Sequence, residues 1–220
     1  MKRQLKSLLS LGAALMLVGA VANVPVASAV TIDINTCWSS CENVGNPASP
    51  ITVATLDITQ SGANVNFTLT DLTGNLGIYQ NAATIISNLN FTYTGSSLVV
   101  TDFSAVSGGT GGIGTFSVGA FTDASLSFNV NLDLPPPPGS GGNLLTNGES
   151  VSWTVSNDLV ANFSTATNST MVHIQRLESG GSVKFVNGPG STVPEPASVI
   201  LLGSGLAGIG LWGMKRRKNA

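Results

Sequence analysis

Charge is scarce in this sequence. Only 9% of its 220 residues are Asp, Glu, Lys or Arg, and from Val30 to Val193 ten acids face two bases, Arg176 and Lys184, a balance of −8 that the whole-chain value of −2 conceals. So acidic a stretch excludes nucleic acid as a partner, because phosphates must be neutralised by cationic side chains. Histidine occurs once, at His173, which removes any site built on two imidazoles. Cysteine occurs only at Cys37 and Cys41, with no further ligand nearby, so neither a metal nor a cofactor is expected. There is no G-x-S-x-G elbow to activate a serine and no G-x-x-x-x-G-K to cradle phosphate. The glycine-rich SGGTGGIG, from Ser107 to Gly114, leads into a strand pattern rather than a helix and reads as a loop.

What is present is alternation with period two. NVNFTLTD sets Val65, Phe67 and Leu69 on one face and polar residues on the other, and SLSFNVNLDL does the same with Leu126, Phe128, Val130, Leu132 and Leu134. Further strands are expected at residues 51–59, 90–94, 98–103, 115–119, 150–155 and 171–177, punctuated by Gly, Asn and Ser clusters. Half-buried antiparallel strands at this spacing predict an all-β body, an antiparallel β-sandwich of jelly-roll-like character over residues 30–190. PPPPGSGGN interrupts the series and reads as a long inter-strand loop, with a boundary between two small subdomains as the alternative.

CWSSC encloses Trp38. In an oxidising compartment Cys37 and Cys41 are expected to form a local disulfide, since redox pairs are usually spaced C-x-x-C. In MVHIQRL, Met171, His173 and Gln175 alternate against Val172 and Ile174, so His173 reads as a polar-face strand residue. Asp71, Asp102 and Asp123 close strand patterns, where Asp serves turns by bonding its own backbone; a calcium site using some of them is the competing reading. Trp153 shares a face with Val151 and Val155 and is expected in the core. Trp38 is the candidate for an exposed sugar-stacking ring, or else covers a sheet edge.

Both ends carry export signals. Lys2, Arg3 and Lys6 precede an apolar run from Leu8 to about Val21 and the small-residue pattern Ala27-Ser28-Ala29, which predicts a signal peptide over residues 1–29 cleaved after Ala29. At the other end, Ala197 to Met214 is an uncharged stretch of 18 residues. As a helix of ~1.5 Å per residue it nearly matches the ~30 Å hydrocarbon layer. Lys215, Arg216, Arg217 and Lys218 follow it and predict a single-pass precursor with its C-terminus in the cytoplasm. Pro194 and Pro196 keep the preceding segment extended and out of that helix.

Val193-Pro194-Glu195-Pro196-Ala197, a Gly-rich apolar span and a basic cluster, in that order, resemble the PEP-CTERM sorting signal over residues 191–220. The resemblance implies a Gram-negative, exopolysaccharide-producing host. It implies passage through the Sec translocon, recognition of Pro194, Glu195 and Pro196 by a membrane-embedded exosortase, and removal of the tail. HIQRLESGGSVKFV resembles the H-x-Q strand and Gly/Ser turn that often precede such signals. The expectation is an exported, non-enzymatic surface or matrix protein with a structural or adhesive role in the exopolysaccharide layer. The alternative is a carbohydrate-binding module or carbohydrate-active enzyme with the same address, which a cleft lined by Trp38 holding Glu149 or Asp158 beside another carboxylate would favour.

Overall fold

The computed structural model describes residues 29–106, 112–134 and 144–189. The expected signal peptide ahead of Ala29, the motif 194–196, the span 197–214, the basic run 215–218 and most of the proline-rich stretch lie outside the described residues. Among the described residues no helix is long and apolar enough to cross a membrane.

Strands account for the regular structure, with four short 3-10 turns between them. They are β1 (Ala29–Ser39), β2 (Ala54–Ser61), β3 (Asn64–Asp71), β4 (Ile85–Phe91), β5 (Phe103–Val106) and β6 (Thr115–Asp123). The series continues with β7 (Leu126–Asp133), β8 (Leu145–Thr146), β9 (Ser150–Val155), β10 (Thr170–Gln175) and β11 (Ser182–Asn187). All of them join one 11-stranded sheet in the order β5-β9-β3-β2-β1-β11-β10-β4-β7-β6, with β8 on β4. Every ladder between them is antiparallel. The strands on either side of the proline-rich stretch pair into this same sheet.

The all-β expectation holds, but its finer form needs correction. A sandwich consists of two separately hydrogen-bonded sheets, whereas among the described residues the pairing is continuous and the sheet curls into nearly a barrel, and a jelly-roll is not shown. Alternation alone cannot separate the two, because an apolar face is equally buried against a second sheet or against itself. Bulges do the bending: β1 shifts register against β11 twice, and β4 carries Ser87 as an extra residue against β10. β1 and β11, which link the two halves, escaped the sequence reading.

The inner face is the core. Val65, Phe67 and Leu69 of β3, Val130 and Leu132 of β7, and Val172 and Ile174 of β10 are all buried in it, as the alternation demands. Phe67 lies flat on Trp153 of β9 at 5.1 Å between ring centroids and also meets Phe91 of β4 at 6.0 Å. Rings from strands far apart in the sheet order touch only because the sheet closes around them.

Candidate functional site

The outer face of the sheet is polar where β7, β4, β10 and β11 lie side by side. The registers Asp133↔Asn88, Asn88↔His173 and His173↔Lys184 place these four side chains in one row across the strands. A second row runs Asn131, Asn90, Met171, Val186. The bulge at Ser87 turns two successive residues of β4, Ser87 and Asn88, toward the same side.

The β6–β7 hairpin folds over this face. Two β6 residues, Gly119 and Ala120, oppose one on β7, and the strand bends there. Beyond the bend Phe121 packs with Phe128, Met171 and Val186 in a small outer cluster. Asp123 makes an ion pair with Lys184 and accepts a hydrogen bond from Asn90 Nδ2 at 3.0 Å. Trp38 donates its indole N–H to the Ala124 carbonyl at 2.9 Å.

Between hairpin and sheet lies a partly open groove of about 600 Å³. Its floor includes Asn88, Asn90, Asn131, His173 and Gln175, and Phe121, Thr122 and Asp123 form one wall. The floor amides are fixed by their neighbours: Asn88 Nδ2 donates to Asp133 Oδ1 at 2.8 Å, and Asn131 Nδ2 donates to Asn90 Oδ1 at 2.8 Å. Gln175 Nε2 lies 3.4 Å from His173 Nδ1. Burial lowers the His173 pKa below its ordinary 6.5, the Lys184 ammonium lowers it further, and Asp123 opposes them. The imidazole is therefore neutral at pH 7.

The sequence-predicted residues fall in different places. Cys37 and Cys41 are disulfide-bonded, as expected. Trp38 is the extra residue of a β1 bulge, 41% exposed and pinned to the hairpin turn. Trp153 is fully buried. Asp71 and Asp102 serve turns, accepting the backbone N–H groups of Thr73 at 2.7 Å and Val99 at 2.9 Å. Glu149 Oε2 accepts both the backbone N–H and the hydroxyl of Thr146, and Asp158 Oδ1 accepts from Leu159 and Asn162. Both acids shape loops and neither lines the groove. Its carboxylates are Asp123 and Asp133, and no group of three or more His, Cys, Asp or Glu able to hold a metal occurs among the described residues. Only the alternation of Asn and Asp along β4 and β7 could have flagged this face, and it reads equally well as ordinary solvation.

Past β11 the chain runs into Pro194-Glu195-Pro196, the apolar span and the basic run. Residues 192–218 match the PEP-CTERM protein-sorting motif. The motif implies recognition by an exosortase, export and sorting toward the cell surface. The match covers the terminal segment and leaves the β body outside it. No curated protein and no solved structure is matched by the chain.

Proposed function

We propose that this PEP-CTERM chain is an exported, exosortase-processed surface or matrix protein with a non-enzymatic structural or adhesive role in an exopolysaccharide layer. The observation that carries the reading is the sorting motif at 192–218. On this reading the signal peptide leaves after Ala29, which opens β1 opposite Thr59, so mature protein starts at Val30 with the Val30–Ile58 pairing kept. The apolar span then holds the precursor in the inner membrane, and Lys215 to Lys218 prevent its withdrawal until the exosortase cuts.

The groove supports binding as the second element of the role. A glycosidase sets one carboxyl as acid and another as base or nucleophile on either side of the scissile bond. Here Asp123 is engaged by Lys184 and Asn90, and Asp133 by Asn88. That arrangement favours a holding surface over a catalytic one.

Intact-mass analysis of the protein recovered from each fraction of its native host tests the reading. Mature protein is expected outside the inner membrane, beginning at Val30 and lacking residues 215–218. Glu195→Ala is expected to leave insertion intact and to trap a longer form in the inner membrane. Extracellular protein that retains Trp212 and the basic run would overturn the processing step.

A further inference from the structure

We propose that the groove between the folded β6–β7 hairpin and strands β4, β7 and β10 binds a segment of neutral, hydroxyl-rich glycan. The matrix reading supplies the source of that glycan, and to that extent the inference rests on it; the chemistry comes from the groove itself.

Size and lining set the class of ligand. About 600 Å³ is within the ~300–1,000 Å³ usual for small-ligand sites. Amides from Asn88, Asn131 and Gln175, the Thr122 hydroxyl and the Asp133 carboxylate all line one space. Sugar hydroxyls donate and accept at once, and amides facing carboxylates are the groups that answer both roles. Charged or purely accepting ligands would leave half of that lining unanswered.

Charge narrows the choice to neutral sugars. No Lys or Arg is among the residues that line the groove, and Lys184, beside His173 in the β10–β11 register, is paired with Asp123. Asp133 remains, and it repels uronate, sulfate and phosphate. A neutral His173 offers no countercharge. A divalent cation would need several carboxylates, and no such cluster exists among the described residues.

Preorganisation and an apolar flank complete the case. Asn88 and Asn131 are each held by a neighbouring side chain, so their remaining donor and acceptor positions point in fixed directions. Binding then orders few side chains, which lowers its entropic cost. Phe121, half-buried, also lines the groove and presents apolar surface to the C–H faces of a pyranose ring. The floor lies on a paired sheet rather than on loops, which keeps its geometry rigid.

The test is calorimetric titration of mature exported protein with hexamers of glucose, mannose and galactose, and with hexagalacturonate as the acidic control. At least one neutral hexamer is expected to bind saturably and with little dependence on salt, while the acidic hexamer does not bind. Gln175→Ala should weaken that binding about tenfold, the loss of one or two good hydrogen bonds. Thr122→Trp, at an exposed position, should abolish it by filling the groove without removing any of the bonds named above, and an unchanged melting temperature certifies its fold. No binding by any neutral hexamer, binding that survives Thr122→Trp, or preference for the acidic hexamer would each overturn the proposal. Fractionation of the same proteins separates the two readings. Matrix-located protein that binds no glycan defeats the groove and leaves the matrix role standing, whereas glycan-binding protein retained in the inner membrane does the reverse.

Discussion

Phe103 of β5 and Phe116 of β6 stack with ring centroids 4.4 Å apart although their strands share no backbone ladder. These strands are the two edges of the curled sheet, so the ring pair closes by side chains the seam that hydrogen bonds leave open. Phe116 also approaches Trp153 at 5.9 Å, which ties the seam to the core. Both phenylalanines are only half-buried, so truncation should cost somewhat less than in a sealed core.

Phe116→Ala is therefore expected to lower stability by about 2–3 kcal/mol, seen as a lower urea midpoint. A double-mutant cycle with Phe103→Ala should give a coupling of about 1 kcal/mol. Strict additivity of the two substitutions would mean that something other than this stack closes the seam.

Asp71 makes stability depend on pH in an unusual sense for a carboxylate. It is fully buried, and burial pushes its pKa from 3.8 up to about 6; polar groups of Thr73 and the Ile86 backbone oppose this, and the charge of Glu149 adds to it. Oδ2 and the neighbouring Thr73 Oγ1 are buried without hydrogen-bond partners. A raised folded-state pKa means that the native state holds the proton more tightly than the unfolded chain, so the contribution of Asp71 to stability is fully present below pH 3.8 and is lost as pH rises through 6. The loss amounts to about 3 kcal/mol by pH 7. Asp71→Asn keeps an acceptor for the Thr73 N–H and should remove most of the slope between pH 4 and pH 6 while raising stability at pH 7. Urea melts across that range check it, and an unchanged slope in the variant would assign the effect to other groups.

How much of this was legible in the sequence follows from what alternation encodes. Alternation on β3, β9, β10 and the later half of β7 identifies which side chains face the core, and places His173 on the outer face, because a period of two fixes sides; Leu126 and Phe128, expected on the face of Val130, belong instead to the outer cluster beyond the bend of the hairpin. Alternation could not say whether one sheet or two bury the core face, since both use the same pattern. β1 is hard to read because two bulges break its pattern, as at Trp38, where the period slips by one residue, and β11 because its apolar run is short. The 98–103 segment carries a strand pattern, yet Val100–Asp102 is a 3-10 turn and the strand begins at Phe103. The groove was the least legible feature. It depends on a hairpin folding over strands more than 30 residues away in sequence, and nothing local to Asn90 announces that Asp123 will meet it.

The disulfide and the bulge act together on Trp38. Cys37 and Cys41 bracket it, and as the extra residue of β1 it leaves the ladder and reaches Ala124. Cys37→Ser combined with Cys41→Ser should cost about 2 kcal/mol, the loop-entropy value for so short a ring. Tryptophan emission should shift to the red as Trp38 loosens, since Trp153 stays enclosed by Phe67 and Phe116. An unaltered spectrum and melting temperature after reduction would show that the strand alone positions the ring.

Gly119 governs the hairpin. Its φ of +150° is a conformation that side-chain-bearing residues rarely adopt, and a Cβ there would meet nothing within 4 Å, so any penalty for substitution is conformational rather than steric. With Ala120 it forms the bulge that carries Phe121, Asp123 and Ala124 over the outer face. Gly119→Val should cost about 1–3 kcal/mol in backbone strain, or else relieve that strain by straightening the strand. Deleting Ala120 is the sharper experiment, because it removes the extra residue and restores plain one-to-one pairing between β6 and β7. The hairpin should then project past the sheet instead of folding over it. Lys184 would lose Asp123, Trp38 would lose Ala124, and the groove would lose its wall. The main core is built without Phe121 or Phe128, so the melting temperature should fall only modestly. Three readouts check this together: a red shift of Trp38 emission, a change in the His173 pKa measured by NMR as it loses both its burial and the Asp123 carboxylate, and loss of neutral-glycan binding. If the deletion leaves all three unchanged, the bulge is not what folds the hairpin over the sheet.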